Sequence, residues 1–270
     1  MPVSINTHKI LGVNTHTSII PPPSSSGFED TTSFALDGVD DFVESNVTFD
    51  TFTAHDDTTG TAKWTINIWV KFDSLVGTKY IYYISEPGGA LVTYLYVNST
   101  GRLQAFTAGT PNNWSRVNGA VTTGNWYMIS VVYDSTLNRY SRQKIYINGA
   151  VPSGHQSNFQ NGSYNASGNI HLGINYSENA PIAGNINEPA IFMGYAATPA
   201  ELATLYNSGA ATNLNDHSTV PTHWWRSENA VWDNADPADE HYDLTDEMGT
   251  AKTLRTYNMA EASREADVPT

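Results

Sequence analysis

The chain has 270 residues, no cysteine, 13 Lys and Arg against 27 Asp and Glu, and a formal net charge of −14. The missing cysteine excludes disulfide frameworks, zinc ribbons, iron–sulfur clusters and thiol nucleophiles. The few, scattered basic residues exclude a surface built to neutralise nucleic-acid phosphates. Residues 1–30 read as an N-terminal arm. Ile10, Leu11, Val13, Ile19 and Ile20 are followed by Pro21–Gly27, a stiff proline run joined to a flexible Ser/Gly hinge, which suits a segment docked on a partner; a disordered tail is the other reading. The stretch Ser33-Phe-Ala-Leu-Asp-Gly-Val-Asp-Asp-Phe-Val43 reads as strand, turn and strand, because Gly38 takes positive φ and Asp37 hydrogen-bonds its own backbone two residues on. In Trp64–Phe72, alternation sets Trp64, Ile66, Ile68, Val70 and Phe72 on one face and Thr65, Asn67, Trp69 and Lys71 on the other. Tyr80–Ile84, Leu91–Val97, Arg102–Phe106, Trp126–Tyr133, Lys144–Gly149, Asn169–Ile174 and Gly184–Phe192 carry further strand patterns. Pro189 cannot donate to a ladder, so the last of these is an edge strand or is bulged there.

One helix is predicted, over 198–209. Thr198 is its N-cap, Pro199 suits its first turn, Glu201 completes a capping box and Gly209 stops it. Leu202, Leu205 and Tyr206 form a stripe that belongs on the strands. Beyond it, Thr222–Arg226 reads as a buried strand, Asp233–Glu247 as acidic and turn-rich, Thr250–Tyr257 as a strand and Asn258–Ala266 as a short helix. The pattern is all-β, a sandwich of two antiparallel sheets with one short capped helix. Its organisation is an arm (1–30), a sandwich (31–210) and a C-terminal extension (211–270) that contributes a strand around 222–227. No run approaches the roughly 18 apolar residues of a spanning helix, and the N-terminus lacks a charged stretch followed by an apolar one. Neither membrane insertion nor a secretory signal is therefore expected.

Six segments, in this order, resemble the concanavalin A-like lectin/glucanase superfamily, in its laminin-G-like and pentraxin-like branch. They are Phe34–Val43, Trp64–Lys71, Asn125–Asp134, Lys144–Gly149, Ile182–Phe192 and the capped helix. The resemblance implies a jelly roll, and calcium on loops at the sandwich rim. Asp37, Asp40 and Asp41 resemble part of such a loop, and Asn187 and Glu188 match positions that are often acidic in relatives. The alternative is a turn with solvated carboxylates. The segment from Trp224 to Pro269 looks like the ends of laminin-G-like proteins of tailed, marine phages.

Glucanases of this fold carry Glu-x-Asp-x-Glu on one strand, so that alternate carboxyls face one cleft. No such run occurs here, nor does a Gly-x-Ser-x-Gly elbow, a P-loop or His-Glu-x-x-His, so no enzyme is expected. Asp233, Asp236, Asp239 and Glu240 form a second acidic group without EF-hand order. For a glycan, Trp114 suits a stacking platform flanked by Asn112 and Asn113, and Tyr82, Tyr94 and Tyr96 are further platform candidates. Ordinary sandwich packing is the other reading of these rings. These features predict a non-enzymatic virion protein, on capsid or tail, docked to other virion proteins through the arm. It would be a symmetric homo-oligomer displaying its sandwich for adhesion to host-surface glycans. The rival reading is a carbohydrate-binding adhesion module with no tie to a virion.

Overall fold

The computed structural model describes residues 28–45, 48, 52–54, 61–86, 91–107, 113–159 and 164–270; the expected N-terminal arm lies almost wholly outside them. The strands in chain order begin with β1 (Ser33–Asp37), β2 (Phe42–Ser45), β3 (Phe52–Ala54), β4 (Lys63–Ser74), β5 (Lys79–Ser85), β6 (Leu91–Val97) and β7 (Leu103–Thr107). Next come β8 (Trp114–Val117), β9 (Trp126–Asp134), β10 (Gln143–Ile147), β11 (Gln156–Asn158), β12 (Tyr164–Ala166), β13 (Asn169–Leu172) and β14 (Ala183–Met193). After α1 (Pro199–Tyr206) follow β15 (His223–Trp224), β16 (Val231–Asp233), β17 (His241–Leu244), β18 (Leu254–Tyr257) and β19 (Arg264–Glu265). One sheet has the order β10-β9-β4-β14-β1-β19, with β15 also on β14. The larger has the order β11-β8-β7-β6-β5-β13-β2-β18-β17-β16, and β12 and β3 form a separate pair. Every pairing is antiparallel. The expected all-β sandwich is the observed one.

The alternation in β4 explains how the layers close. Trp64, Ile66, Ile68, Val70 and Phe72 enter the core between the sheets. On the opposite face Trp69 joins Met128, Val132, Ala190, Leu202 and Leu205, so the smaller sheet is greasy on both sides and α1 covers its outer one. Trp69 stacks on Tyr206 with centroids 5.8 Å apart. The capping box forms as expected, with the Glu201 N–H donating to Thr198 Oγ1 at 3.3 Å and the Thr198 N–H donating to Glu201 Oε2 at 2.8 Å. The helix ends before Gly209, however. Asn207 takes the left-handed conformation (φ 44°) and caps it, and a single 3-10 turn reaches Gly209.

Pro189 lies in a central strand, and the bulge is the device that admits it. Register between β14 and β4 shifts between Asn187 and Ala190, and Glu188 takes φ 49°. The Pro189 carbonyl accepts the Trp225 N–H at 3.1 Å. The C-terminal extension supplies more than the strand expected near 222–227. β15 and β19 join the smaller sheet and β16–β18 the larger one. Only Glu261–Ser263 turns as a short 3-10 helix where a helix over 258–266 is predicted.

Candidate functional site

The outer face of the larger sheet is set by its register. One line of cross-strand partners runs Asn158, Trp114, Phe106, Tyr94, Tyr83, His171, Glu44, Arg255, Asp243. Strands stand ~4.8 Å apart, so rings on successive rungs stack. Tyr83 and Tyr94 are 5.7 Å apart at 7°, and Tyr94 and Phe106 are 5.3 Å apart at 13°. Tyr80 meets Tyr83 and Tyr94 edge-on. The stacked rings spend their faces on one another. Tyr96 Oη donates to Gln104 Oε1 at 3.1 Å.

Trp114 ends the aromatic part of this line, half-buried. Arg116 lies 4.5 Å from its ring centroid, and Arg116 Nε and Nη2 both donate to Gln156 Oε1, at 3.0 and 2.8 Å. The guanidinium is thereby braced as a flat extension of the ring. Trp114, Arg139, Tyr140, His155, Gln156, Ser157 and Asn158 line an open groove here. Tyr140 is 58% exposed, with Arg139 4.6 Å from its centroid. His155 Nε2 accepts the Ile145 N–H at 3.1 Å; burial, helped by Lys144, pulls its pKa down to about 4, so the imidazole is neutral at pH 7. Aromatic surface beside planar donors and amides matches the apolar face and hydroxyl rim of a pyranose. The described lining carries no carboxylate.

Of the residues expected to bind a glycan, Trp114 is at the groove, Asn113 is fully buried and does not reach it, and Asn112 lies outside the described residues. Tyr94 and Tyr96 face outward, whereas Tyr82 is 1% exposed and belongs to the core. The reason is a register shift between Tyr80 and Tyr82, which sends Ile81 and Tyr82 inward together and Tyr80 and Tyr83 outward.

The acidic residues expected at one calcium site divide into two groups. Asp37, Asp40 and Asp41 bring carboxylate oxygens within 4.8 Å of one another. Asp37 Oδ1 accepts the Val39 N–H at 2.7 Å, Asp41 Oδ2 accepts the Asp37 N–H at 3.0 Å, and burial pushes Asp41 up to about 6. Glu188 is not part of this group. Asp37 pairs with Ala183, five residues before Glu188 along β14, or roughly 16 Å at a strand's rise. Glu188 clusters instead with Asp30 and Glu228. Its Oε1 accepts the Arg226 Nε–H at 3.1 Å, and the Trp224 indole N–H donates to its Oε2. Burial raises the Glu188 carboxyl well above the usual range, against the pull of Arg226. This carboxylate cluster is walled in by Phe28, Trp224 and Arg226, and it opens on no sugar-sized groove.

Residues 45–203 match the family model of the concanavalin A-like lectin/glucanases superfamily. No curated protein matches the chain. Among solved structures, a putative carbohydrate binding protein from Bacteroides ovatus ATCC 8483 superposes with a TM-score of 0.59 at 13% identity, over 90% of this chain and 62% of that one. The chain thus spans less than two thirds of that protein's length. The native heptameric SAP-like pentraxin from Limulus polyphemus superposes with a TM-score of 0.50 at 17% identity, over 65% of this chain and 82% of that one. At such identities the likeness is one of fold.

Proposed function

The chain belongs to the concanavalin A-like lectin/glucanases superfamily, and on that premise we propose that it is a non-catalytic carbohydrate-binding protein. The ligand lies in the groove at Trp114 and continues over the tyrosine-rich outer face of the larger sheet. The observation that carries this reading is the Trp114 ring braced by Arg116 and Gln156 beside an exposed Tyr140. Such a site stacks the C–H face of a sugar and offers donors at its rim. The carbohydrate-binding description of the Bacteroides protein, which shares the fold, agrees with it. The lack of a carboxylate in the described lining supports binding without hydrolysis, since glycoside cleavage uses two carboxyls facing the scissile bond. A glycan array followed by calorimetry tests the proposal. Trp114→Ala lowers affinity at least tenfold, about 1.4 kcal/mol; a silent array, or unchanged binding by the variant, overturns it.

The carrier we propose is a phage particle, on which a symmetric homo-oligomer gains avidity for host-surface glycans. The likeness of Trp224–Pro269 to phage proteins motivates the carrier, and the heptameric state of the pentraxin motivates the assembly. Mass spectrometry of purified particles and light scattering of the isolated chain test the two points separately. Calcium, where the chain takes it, is held by Asp37, Asp40 and Asp41 without Glu188.

A further inference from the structure

The β16–β17 hairpin, at the far edge of the larger sheet, places an imidazole between two carboxylates. Asp233 is the direct cross-strand partner of His241, and Asp243 lies two residues along the same strand, so all three side chains share the outer face. His241 is 3% exposed, and its Nε2 has no hydrogen-bond partner. That nitrogen is aimed at Asp243 Oδ1 at 3.6 Å and Asp233 Oδ2 at 3.9 Å. Its other nitrogen faces the Asp239 carbonyl at 2.5 Å, which fixes the proton on Nδ1 and leaves the Nε2 lone pair free. Asp233 Oδ1 is occupied by the Ala235 N–H at 2.9 Å, which holds Oδ2 toward the imidazole.

We propose that His241 Nε2, Asp233 Oδ2 and Asp243 Oδ1 bind a divalent transition-metal ion of the zinc class. Two ligands on a tetrahedral zinc stand about 3.3 Å apart, given bonds of about 2.0–2.2 Å. The imidazole–carboxylate separations of 3.6 and 3.9 Å exceed this by about 0.3 and 0.6 Å, and all three ligand atoms lie within 4.8 Å of one another. Arg255 flanks the cluster, its Nε 3.5 Å from the same Asp243 Oδ1 and its Nη1 3.3 Å from Asp239 Oδ2. Three aspartates against one guanidinium leave two negative charges, the complement of a divalent cation. An imidazole ligand selects zinc-class ions over calcium, which takes six or more oxygens. The carboxylates of Asp233 and Asp243 are 45% and 43% exposed, giving the ion a path in and solvent a place to complete its shell. The ion would clamp the edge hairpin from the same face that carries the aromatic groove.

Zinc titration of the full chain by calorimetry, in excess calcium, tests this. The expected result is one tight site that calcium does not displace and that acid weakens, because Nε2 must be unprotonated. Asp233→Asn and Asp243→Asn each weaken it at least tenfold, and His241→Gln abolishes it. Should the buried histidine variant fail to fold, the two exposed aspartate variants decide. Equal zinc binding by wild type and a folded Asp233→Asn/Asp243→Asn double variant, or full displacement by calcium, overturns the assignment.

Discussion

Arg226 reaches Glu188 at 3.1 Å where the bulge in β14 leaves the ladder, and it does so alongside two stacked aromatic rings. Its guanidinium lies 4.4 Å from the Phe28 centroid and 5.3 Å from that of Trp224. It also donates to the Glu29 carbonyl and stands 3.5 Å from Glu228 Oε2. One cation thus joins the bulge, the entry to β1 and the end of β15. Arg226→Ala leaves Glu188 buried with the Trp224 indole but without its cation, and removing one member of a buried pair costs about 3–5 kcal/mol. Urea unfolding monitored by tryptophan fluorescence measures it; a loss under about 1 kcal/mol, the range of exposed pairs, refutes the role.

The same cluster makes stability depend on pH. Burial pushes Asp30 up to about 7, against its hydrogen bond from Asn187 Nδ2 at 2.7 Å. A carboxyl raised on folding contributes stability that is full below its unfolded pKa, near 4, and is lost as pH rises through about 7. Asp30→Asn keeps the acceptor and removes the ionisation. The variant gains on wild type as pH climbs from 4 to 8, read as the difference in melting temperature across that window. A constant difference refutes the assignment.

The helix cap gives a smaller and cleaner effect. Thr198→Ala removes the acceptor for the Glu201 N–H and costs about 1 kcal/mol. Thr198→Ser restores most of it. Equal stability of the Ala and Ser variants in guanidinium titrations would show that the capping box contributes nothing here.

At the β1–β2 turn, millimolar calcium raises the melting temperature of the wild type and not that of Asp40→Asn, whose side chain is exposed and whose replacement leaves in place the turn's hydrogen bond from the Val39 N–H to Asp37 Oδ1. Scanning calorimetry with and without chelator checks it, and an equal rise in both proteins rules out this turn as the site.

The layer order was legible because hydrophobic period and burial agree along β4, and because Thr198, Pro199 and Glu201 announce the helix locally. Legibility failed where the chain steps out of period. The shift between Tyr80 and Tyr82 inverts the faces that strict alternation predicts, so the sequence offers Tyr82 as a platform residue and gives no sign of Tyr83. Trp114 is visible from its own segment and Arg116 lies two residues along the same strand, but Gln156 and Tyr140 join them only through the β8–β11 pairing and the groove. The sequence sets Glu188 with the Asp37 turn, whereas the fold gathers it with Asp30, Glu228 and Arg226 from distant positions. The His241 cluster stayed hidden because Asp233 meets it across a hairpin, in a segment whose acidity reads as turn.

The ladder between β1 and β19, and that between β2 and β18, join the start of the described chain to its end. Asp267 adds bonds to Lys71 and Trp126, at 2.5 and 2.9 Å. On a ribosome, the strands that flank β1 and β2 emerge long after β1 and β2 themselves. The native sandwich therefore closes only after residue 267 has left the exit tunnel, and until then unsealed sheet edges must be kept from pairing with those of neighbouring nascent chains.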